Sequence, residues 1–165
     1  MDVAYYLDKF QKSVDLLDKQ LFTQKQLELK VGVWMDSVCL KIQKKSWLNN
    51  PLTAKPFGES FFFSIWINDD ILKKGKVYYN IHAIKTRELS DYKIKSRDFA
   101  DEFDNRFKPF KKDWPNVYNP LAPHTLMEGW VKFDLNTFES DLIELASKFS
   151  NISFIIDELL AERKK

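Results

Sequence analysis

The chain has 165 residues, of which 44% are hydrophobic and 30% are charged, and its formal net charge is +2. This composition excludes an intrinsically disordered chain, and the length predicts one domain, residues 1–165, with a single core. No apolar run approaches the ~18 residues of a bilayer-spanning helix, and the N-terminus lacks the pattern of a secretory leader. A cytoplasmic location is therefore expected.

The first predicted element is a long amphipathic helix. Its apolar residues recur at alternating intervals of three and four, and charged residues occupy the positions between them. The apolar positions are Val3, Leu7, Phe10, Val14, Leu17 and Leu21. A single stripe of this kind favours a helix packed on a sheet.

The next stretch changes to strand periodicity. Apolar residues alternate from Leu27 to Val33, and the alternation resumes in the opposite phase from Val38 to Ile42, after Met35-Asp36-Ser37. This pattern predicts either two strands joined by a tight turn or one strand broken by a bulge. If the break is sharp, it could also divide the sheet into two layers. Cys39, the single cysteine, is expected to be a reduced core residue.

A central β-hairpin is predicted between Glu59 and Lys85. Its strands are Glu59–Asn68 and Lys76–Lys85, joined by a short polar loop that ends at Gly75. Side chains alternate across a strand, so one face is predicted to be core. That face carries Phe61, Phe63, Ile65, Ile67, Val77, Tyr79, Ile81 and Ala83. The other face mixes aromatic and polar side chains.

A helix with one phenylalanine face follows the hairpin. Ser96 is its predicted N-cap, Phe99, Phe103 and Phe107 share the apolar side, and Pro109 should end or kink it. A long Pro-rich loop then occupies residues 108–127. Loops of this length usually cover something or contribute to a site.

The C-terminal part is predicted to contain one strand and two helices. Glu128–Leu135 is the strand, and Asn136-Thr-Phe-Glu139 has the form of a capping box that opens the first helix. Ser150-Asn151 should separate that helix from the last one. The fold class predicted is α+β: an antiparallel sheet of about four or five strands with helices mainly on one face, a long N-terminal helix and two C-terminal helices.

A ligand site is predicted where the polar side of the hairpin meets the Pro-rich loop. Aromatic and hydrogen-bonding side chains would converge there under a covering segment. The candidates are Trp66, Tyr78, Asn80, His82, Trp114 and His124. The alternative is that the loop packs on Trp66 and Tyr78 as a second small core.

A nucleic-acid surface is predicted from the excess of Lys and Arg within residues 41–112. Six of these residues lie at element ends, where a loop and a helix N-terminus could meet a phosphate backbone. They are Lys73, Lys74, Lys76, Lys93, Lys95 and Arg97. Asp69, Asp70 and Asp91 lie among them and would repel phosphate, so a mixed solvated surface is the alternative.

Catalytic motifs are missing from the sequence, so no catalytic residue, metal or cofactor is predicted. The four glycines are too far apart for a phosphate-binding loop. A PD-(D/E)xK nuclease would need an acid two residues before the lysine of the central hairpin, but Ala83 stands before Lys85. A zinc site would require His82, His124 and a carboxylate such as Glu128.

The second half resembles the small YjbR/MmcQ-like proteins. The resemblance covers roughly residues 59–163. It follows the order Tyr79-Asn-Ile-His82, the 98–107 helix, the Pro-rich loop, Gly129-Trp-Val-Lys-Phe-Asp-Leu-Asn136 and Asp141-Leu-Ile-Glu-Leu145. It implies a double-wing α+β fold that is DNA-binding-like, with no catalytic residues.

The functional hypothesis from sequence is a bacterial-type, non-catalytic cytoplasmic module that binds nucleic acid. The first alternative is a protein-interaction module with no nucleic-acid role. The second is a divergent PD-(D/E)xK-like nuclease.

Overall fold

The computed structural model describes residues 1–120 and 122–165. Five strands form one open antiparallel sheet, in which the spatial order follows the chain order. The strands are β1 (Glu28–Trp34), β2 (Ser37–Gln43), β3 (Ser60–Ile67), β4 (Lys76–Ile84) and β5 (Thr125–Lys132). The helices are α1 (Val3–Asp15), α2 (Lys19–Gln24), α3 (Asp69–Lys73), α4 (Ser96–Phe107) and α5 (Phe138–Ala161). The α+β prediction is confirmed.

The core lies between the sheet and the helices packed on one of its faces. All eight residues predicted for the core face of the central hairpin are buried. The Phe63 ring stacks on Phe149 of α5 with centroids 4.6 Å apart, and Phe61 stacks on Phe99 of α4 at 4.7 Å. Alternation along β3 and β4 therefore turns every second side chain of each strand toward the helices.

The break between β1 and β2 is a two-residue turn in a continuous sheet. Met35 and Asp36 have φ values of 49° and 62°, the left-handed conformation that type I′ hairpin turns use. Val33 then pairs with Val38, and Trp34 with Ser37. The two-strand prediction is confirmed, and the alternatives of a bulged strand or a sheet in two layers are wrong.

The apolar stripe of the N-terminal helix continues through a helix break. α1 ends at Asp15, and the Asp18 carboxylate accepts a hydrogen bond from the Leu21 amide (3.2 Å) to begin α2. Asp at an N-cap satisfies an amide that has no partner inside the helix. Leu17 and Phe22 are buried on either side of this corner.

The two predicted C-terminal helices are joined as the single helix α5. Ser150 does not interrupt it, because its hydroxyl donates to the Ser147 carbonyl (2.6 Å) inside the helix. The predicted capping box does not form: the N-cap is Thr137, whose hydroxyl donates to the Asp141 carboxylate (2.9 Å).

Further boundaries differ from the sequence predictions. β5 begins at Thr125, three residues before the predicted start, because the chain already pairs with β4 there. The β3–β4 connection contains α3, which Asn68 caps through the Ile71 amide (2.9 Å). Ser96 is the first residue of α4, and Lys95 holds the N-cap position without a side-chain bond.

None of the helices in the described residues is long and apolar enough to cross a membrane.

Candidate functional site on the open face of the sheet

The candidate site lies on the sheet face opposite α1, α4 and α5, which we call the open face. Residues paired across the five strands form rows on this face. One row contains Lys30, Lys41, Ser64, Asn80 and Glu128, and the next contains Gly32, Cys39, Trp66, Tyr78 and Trp130. The strand register thus places polar and aromatic side chains in adjacent rows.

A cleft of about 300 Å³ opens on this face beside the β1–β2 turn. Its walls come from the turn and from strands β1 to β4. They are Trp34, Met35, Ser37, Cys39, Lys41, Ser64, Trp66, Asn68 and His82. The size is at the lower end of the range for small-molecule sites.

Trp34 forms one wall of the cleft because Gly32 leaves room for its ring. A Cβ atom at Gly32 would lie 2.9 Å from the Trp34 indole. The ring therefore folds back over its own strand, and the Lys41 ammonium lies 4.3 Å from its centroid. Met35 at the tip of the turn is 97% exposed and lines the rim.

Lys41 is the buried cation of the cleft. Its ammonium donates to the Phe57 carbonyl (2.9 Å) and lies 4.7 Å from the Phe62 ring centroid. Burial lowers the pKa of Lys41, and the nearby cations Lys55 and Lys30 also lower it. Among the described residues, no carboxylate pairs with this ammonium.

Trp66 contributes a hydrogen-bond donor that is not used within the described part of the chain. Its indole nitrogen Nε1 is buried without an acceptor, and its ring lies 5.5 Å from Tyr78 between centroids. Buried donors in folded proteins are almost always paired, so an orphan of this kind calls for an explanation.

His82 and Cys39 are both neutral at physiological pH. Burial lowers the pKa of His82 to about 4, and the charges of Lys41 and His124 add to the effect. Burial raises the pKa of the Cys39 thiol to about 11. Neither side chain therefore offers a nucleophile or an imidazolium acid near pH 7.

The opposite end of the polar row is formed by Asn80 and Glu128. The Ser64 hydroxyl donates to Asn80 Oδ1, and Asn80 is buried. Burial raises the pKa of Glu128, and a hydrogen bond that its carboxylate accepts from the Tyr118 hydroxyl offsets part of that rise. Tyr118 pairs with Glu128 through both backbone hydrogen bonds, so the Pro-rich loop extends the sheet beyond β5.

Four of the six predicted ligand-site residues share the open face: Trp66, Tyr78, Asn80 and His82. Trp114 does not join them. It is buried on the core face, 5.2 Å from Tyr79 and 5.9 Å from Phe63 between ring centroids. The path of the Pro-rich loop sets the position of Trp114. The Tyr79 hydroxyl holds this loop by donating a hydrogen bond to the Pro115 carbonyl (2.7 Å). His124 is an exposed residue just before β5.

The six predicted nucleic-acid residues do not form one patch. Lys73, Lys74 and Lys76 lie where β4 begins, whereas residues 93–97 follow its far end and surround the C-terminal end of α5. β4 has nine residues, so its two ends lie about 26 Å apart.

The sequence alone did not indicate Trp34, Lys41 or Trp130 as site residues. Cys39 and Lys41 alternate along β2 with Val38, Leu40 and Ile42, and this alternation places both on the open face. The β1–β2 register was needed to bring Trp34 over it. In the described residues, no three His, Cys, Asp or Glu side chains cluster as a candidate metal site.

Comparison with protein-family models, curated proteins and solved structures gives no match. The YjbR-like resemblance stays a prediction, and the geometry of the open face is what bears on function.

Proposed function

We propose that this chain is a non-catalytic cytoplasmic protein whose open face binds single-stranded nucleic acid. One observation carries the proposal: Trp66, Tyr78 and Trp130 are paired side by side on three adjacent strands, and each is partly exposed. Unstacked bases pack on rows of aromatic rings in many sheet-based binders of single strands.

Lysines lie beside this aromatic row, where a phosphate backbone would pass. The Lys76 ammonium is 4.2 Å from the Trp130 ring centroid, and Lys132 is paired opposite Lys76. Lys73 and Lys74 are exposed in and after α3, immediately before β4. Lys73, Lys74 and Lys76 are half of the six nucleic-acid residues predicted from sequence.

The separation of the two lysine groups favours a single strand over a duplex. A duplex contact of the kind predicted from sequence would use the lysines near Lys95 together with those near Lys76. These two groups lie near opposite ends of β4. A single strand needs only the aromatic row and the lysines at its own end. Asp69 and Asp70 oppose phosphate in α3, so we expect about three phosphate contacts and a salt slope of about −2.

The test is fluorescence anisotropy with labelled single-stranded DNA, single-stranded RNA and duplex DNA at low and moderate salt. Trp130→Ala should weaken single-strand binding about tenfold through lost stacking. Lys76→Glu with Lys132→Glu should weaken it further and flatten the salt dependence. Lys93→Glu with Lys95→Glu is the matched control at the far end and should leave binding unchanged.

Two outcomes would overturn the proposal. The first is absence of single-strand binding at low salt, which would leave protein interaction as the favoured class. The second is loss of binding in the Lys93/Lys95 control together with a preference for duplex, which would favour a duplex contact that includes Lys93 and Lys95.

A further inference from the structure

The cleft beside the β1–β2 turn contains a cation that has no acidic partner in the described part of the chain. Lys41 is 8% exposed, and among the described residues its ammonium donates one hydrogen bond, to the Phe57 carbonyl, and faces two aromatic rings. An ammonium has three N–H donors, so Lys41 retains donor capacity. A buried charge is costly unless it is paired, so this geometry favours an anion in the cleft.

A second donor lines the same cleft. Trp66 Nε1 is buried and has no partner within residues 1–120 and 122–165, and Trp66 is a diagonal neighbour of Lys41 because Cys39 pairs with Trp66 while Lys41 pairs with Ser64. Side chains at diagonal positions of adjacent strands are within mutual reach. Lys41 and Trp66 both line the cleft, and one carboxylate has two acceptor oxygens for their two donors.

The surroundings of Lys41 select the sign and number of charges on a ligand. The charged groups that act on its pKa are Lys55 and Lys30, both cations, while Cys39 keeps its proton at neutral pH. A cationic ligand would be repelled. A monoanion matches the one buried ammonium, whereas a phosphate monoester would bring close to two charges.

The apolar walls of the cleft favour a ligand with an aromatic ring. Trp34 and Met35 form an apolar rim, and about 300 Å³ accommodates a one-ring or two-ring aromatic acid. We propose that this cleft binds a small aromatic carboxylate, with its oxygens accepting from Lys41 Nζ and Trp66 Nε1 and its ring against Trp34. The proposal shares Trp66 with the aromatic row, but it does not depend on nucleic-acid binding, because it uses Lys41 and the buried indole N–H of Trp66 rather than the exposed ring faces.

The first experiment is calorimetric titration with benzoate and 2-naphthoate, for which we expect dissociation constants of about 1 mM or below. Benzamide replaces the carboxylate by a neutral amide and should bind at least about tenfold more weakly. Benzylamine should not bind. Acetate and inorganic phosphate test whether the site takes any small anion without regard to the ring.

Variants locate the binding. Lys41→Met keeps the apolar stem and should weaken 2-naphthoate at least about tenfold, and Trp66→Phe keeps a ring but removes the donor and should weaken it about fivefold. Lys76→Met, on the same face but outside the cleft, is the matched control and should change affinity less than about twofold. Trp130→Ala should also leave it unchanged, which separates this site from the stacking row.

A spectroscopic measurement keeps the proposal testable if Lys41→Met fails to fold. The chain has five tryptophans, and the indole N–H signal that disappears in Trp66→Phe belongs to Trp66. That signal should shift on addition of 2-naphthoate and not on addition of benzylamine. Equal binding of benzamide and benzoate, equal loss in Lys76→Met and Lys41→Met, or an unmoved Trp66 signal would overturn the proposal.

Discussion

The Tyr79 ring crosses directly over Gly129 on the neighbouring strand, leaving no room for a Cβ atom there. This close approach lets the Tyr79 hydroxyl reach past β5 and donate to the Pro115 carbonyl (2.7 Å). The pair therefore fixes the Pro-rich loop against the edge of the sheet.

Gly129→Ala should destabilise the fold by about 3 kcal/mol, because the methyl group would push the buried Tyr79 ring out of place. Urea unfolding measures the loss. Gly58→Ala is the control, since its methyl group would meet only the flexible Lys55 side chain at 3.4 Å, and it should change stability by less than about 0.5 kcal/mol. Equal stability of the two variants would contradict this role of Gly129.

Ile65→Asp should abolish folding, because Ile65 is fully buried at the centre of β3. An unpaired carboxylate there costs several kcal/mol, comparable to the whole stability of a domain of this size, about 5–15 kcal/mol. Val33→Asp, at a position 48% exposed on β1, should remain folded. Circular dichroism and size-exclusion chromatography of both proteins decide the matter, and a folded, monodisperse Ile65→Asp protein would place the core on the other face.

Asp157 connects α5 to the segment after β2. Its carboxylate accepts from Lys44 Nζ and from Trp47 Nε1 (2.8 Å), and Trp47 is fully buried. Asp157→Ala leaves both donors unpaired and should cost about 3 kcal/mol in chemical denaturation. Asp8→Ala removes an exposed pair with Lys12 and should cost less than about 0.5 kcal/mol. Similar losses in the two variants would show that the Asp157 contacts are weak.

His82 should make stability depend on acid pH. Its pKa is about 4 in the folded protein and about 6.5 when unfolded, so the unfolded chain binds more protons between these values. The free energy of unfolding should therefore fall as pH drops from about 6.5 to about 4, by roughly 2 kcal/mol after allowance for partial exposure.

The comparison protein for this effect is His82→Gln, which has no titrating group at that position. The difference in unfolding free energy between wild type and His82→Gln should be constant above pH ~7 and change below pH ~6.5. A difference that stays constant down to pH ~4 would contradict the burial of a neutral imidazole.

The sheet was predictable where strict alternation marks one buried face. Phe61, Phe63, Ile65 and Ile67 occupy every second position of β3, and each is buried as expected. Helix ends were less predictable, because an apolar stripe does not show where the axis turns. The break before Asp18 depends on a capping bond, and the continuity at Ser150 depends on a hydroxyl bonded inside the helix.

The candidate site was only partly predictable because it depends on strand register and loop path. Trp66, Tyr78, Asn80 and His82 follow from alternation within one hairpin. Lys41 belongs to a different hairpin and resembles any solvent-facing strand lysine until β2 is placed beside β3. Trp114 could have packed on either face, since proline-rich segments carry no periodicity that assigns a side.

The order of the strands has a consequence for synthesis. Each strand pairs with its predecessor, so hairpins can form as the chain leaves the ribosome. The covering helix α5, which stacks Phe149 on Phe63, follows all five strands in the chain. Until α5 is made, the part of the apolar sheet face around Phe63 lacks its cover. The nascent protein thus passes through a stage at which a chaperone, or aggregation, competes for that surface.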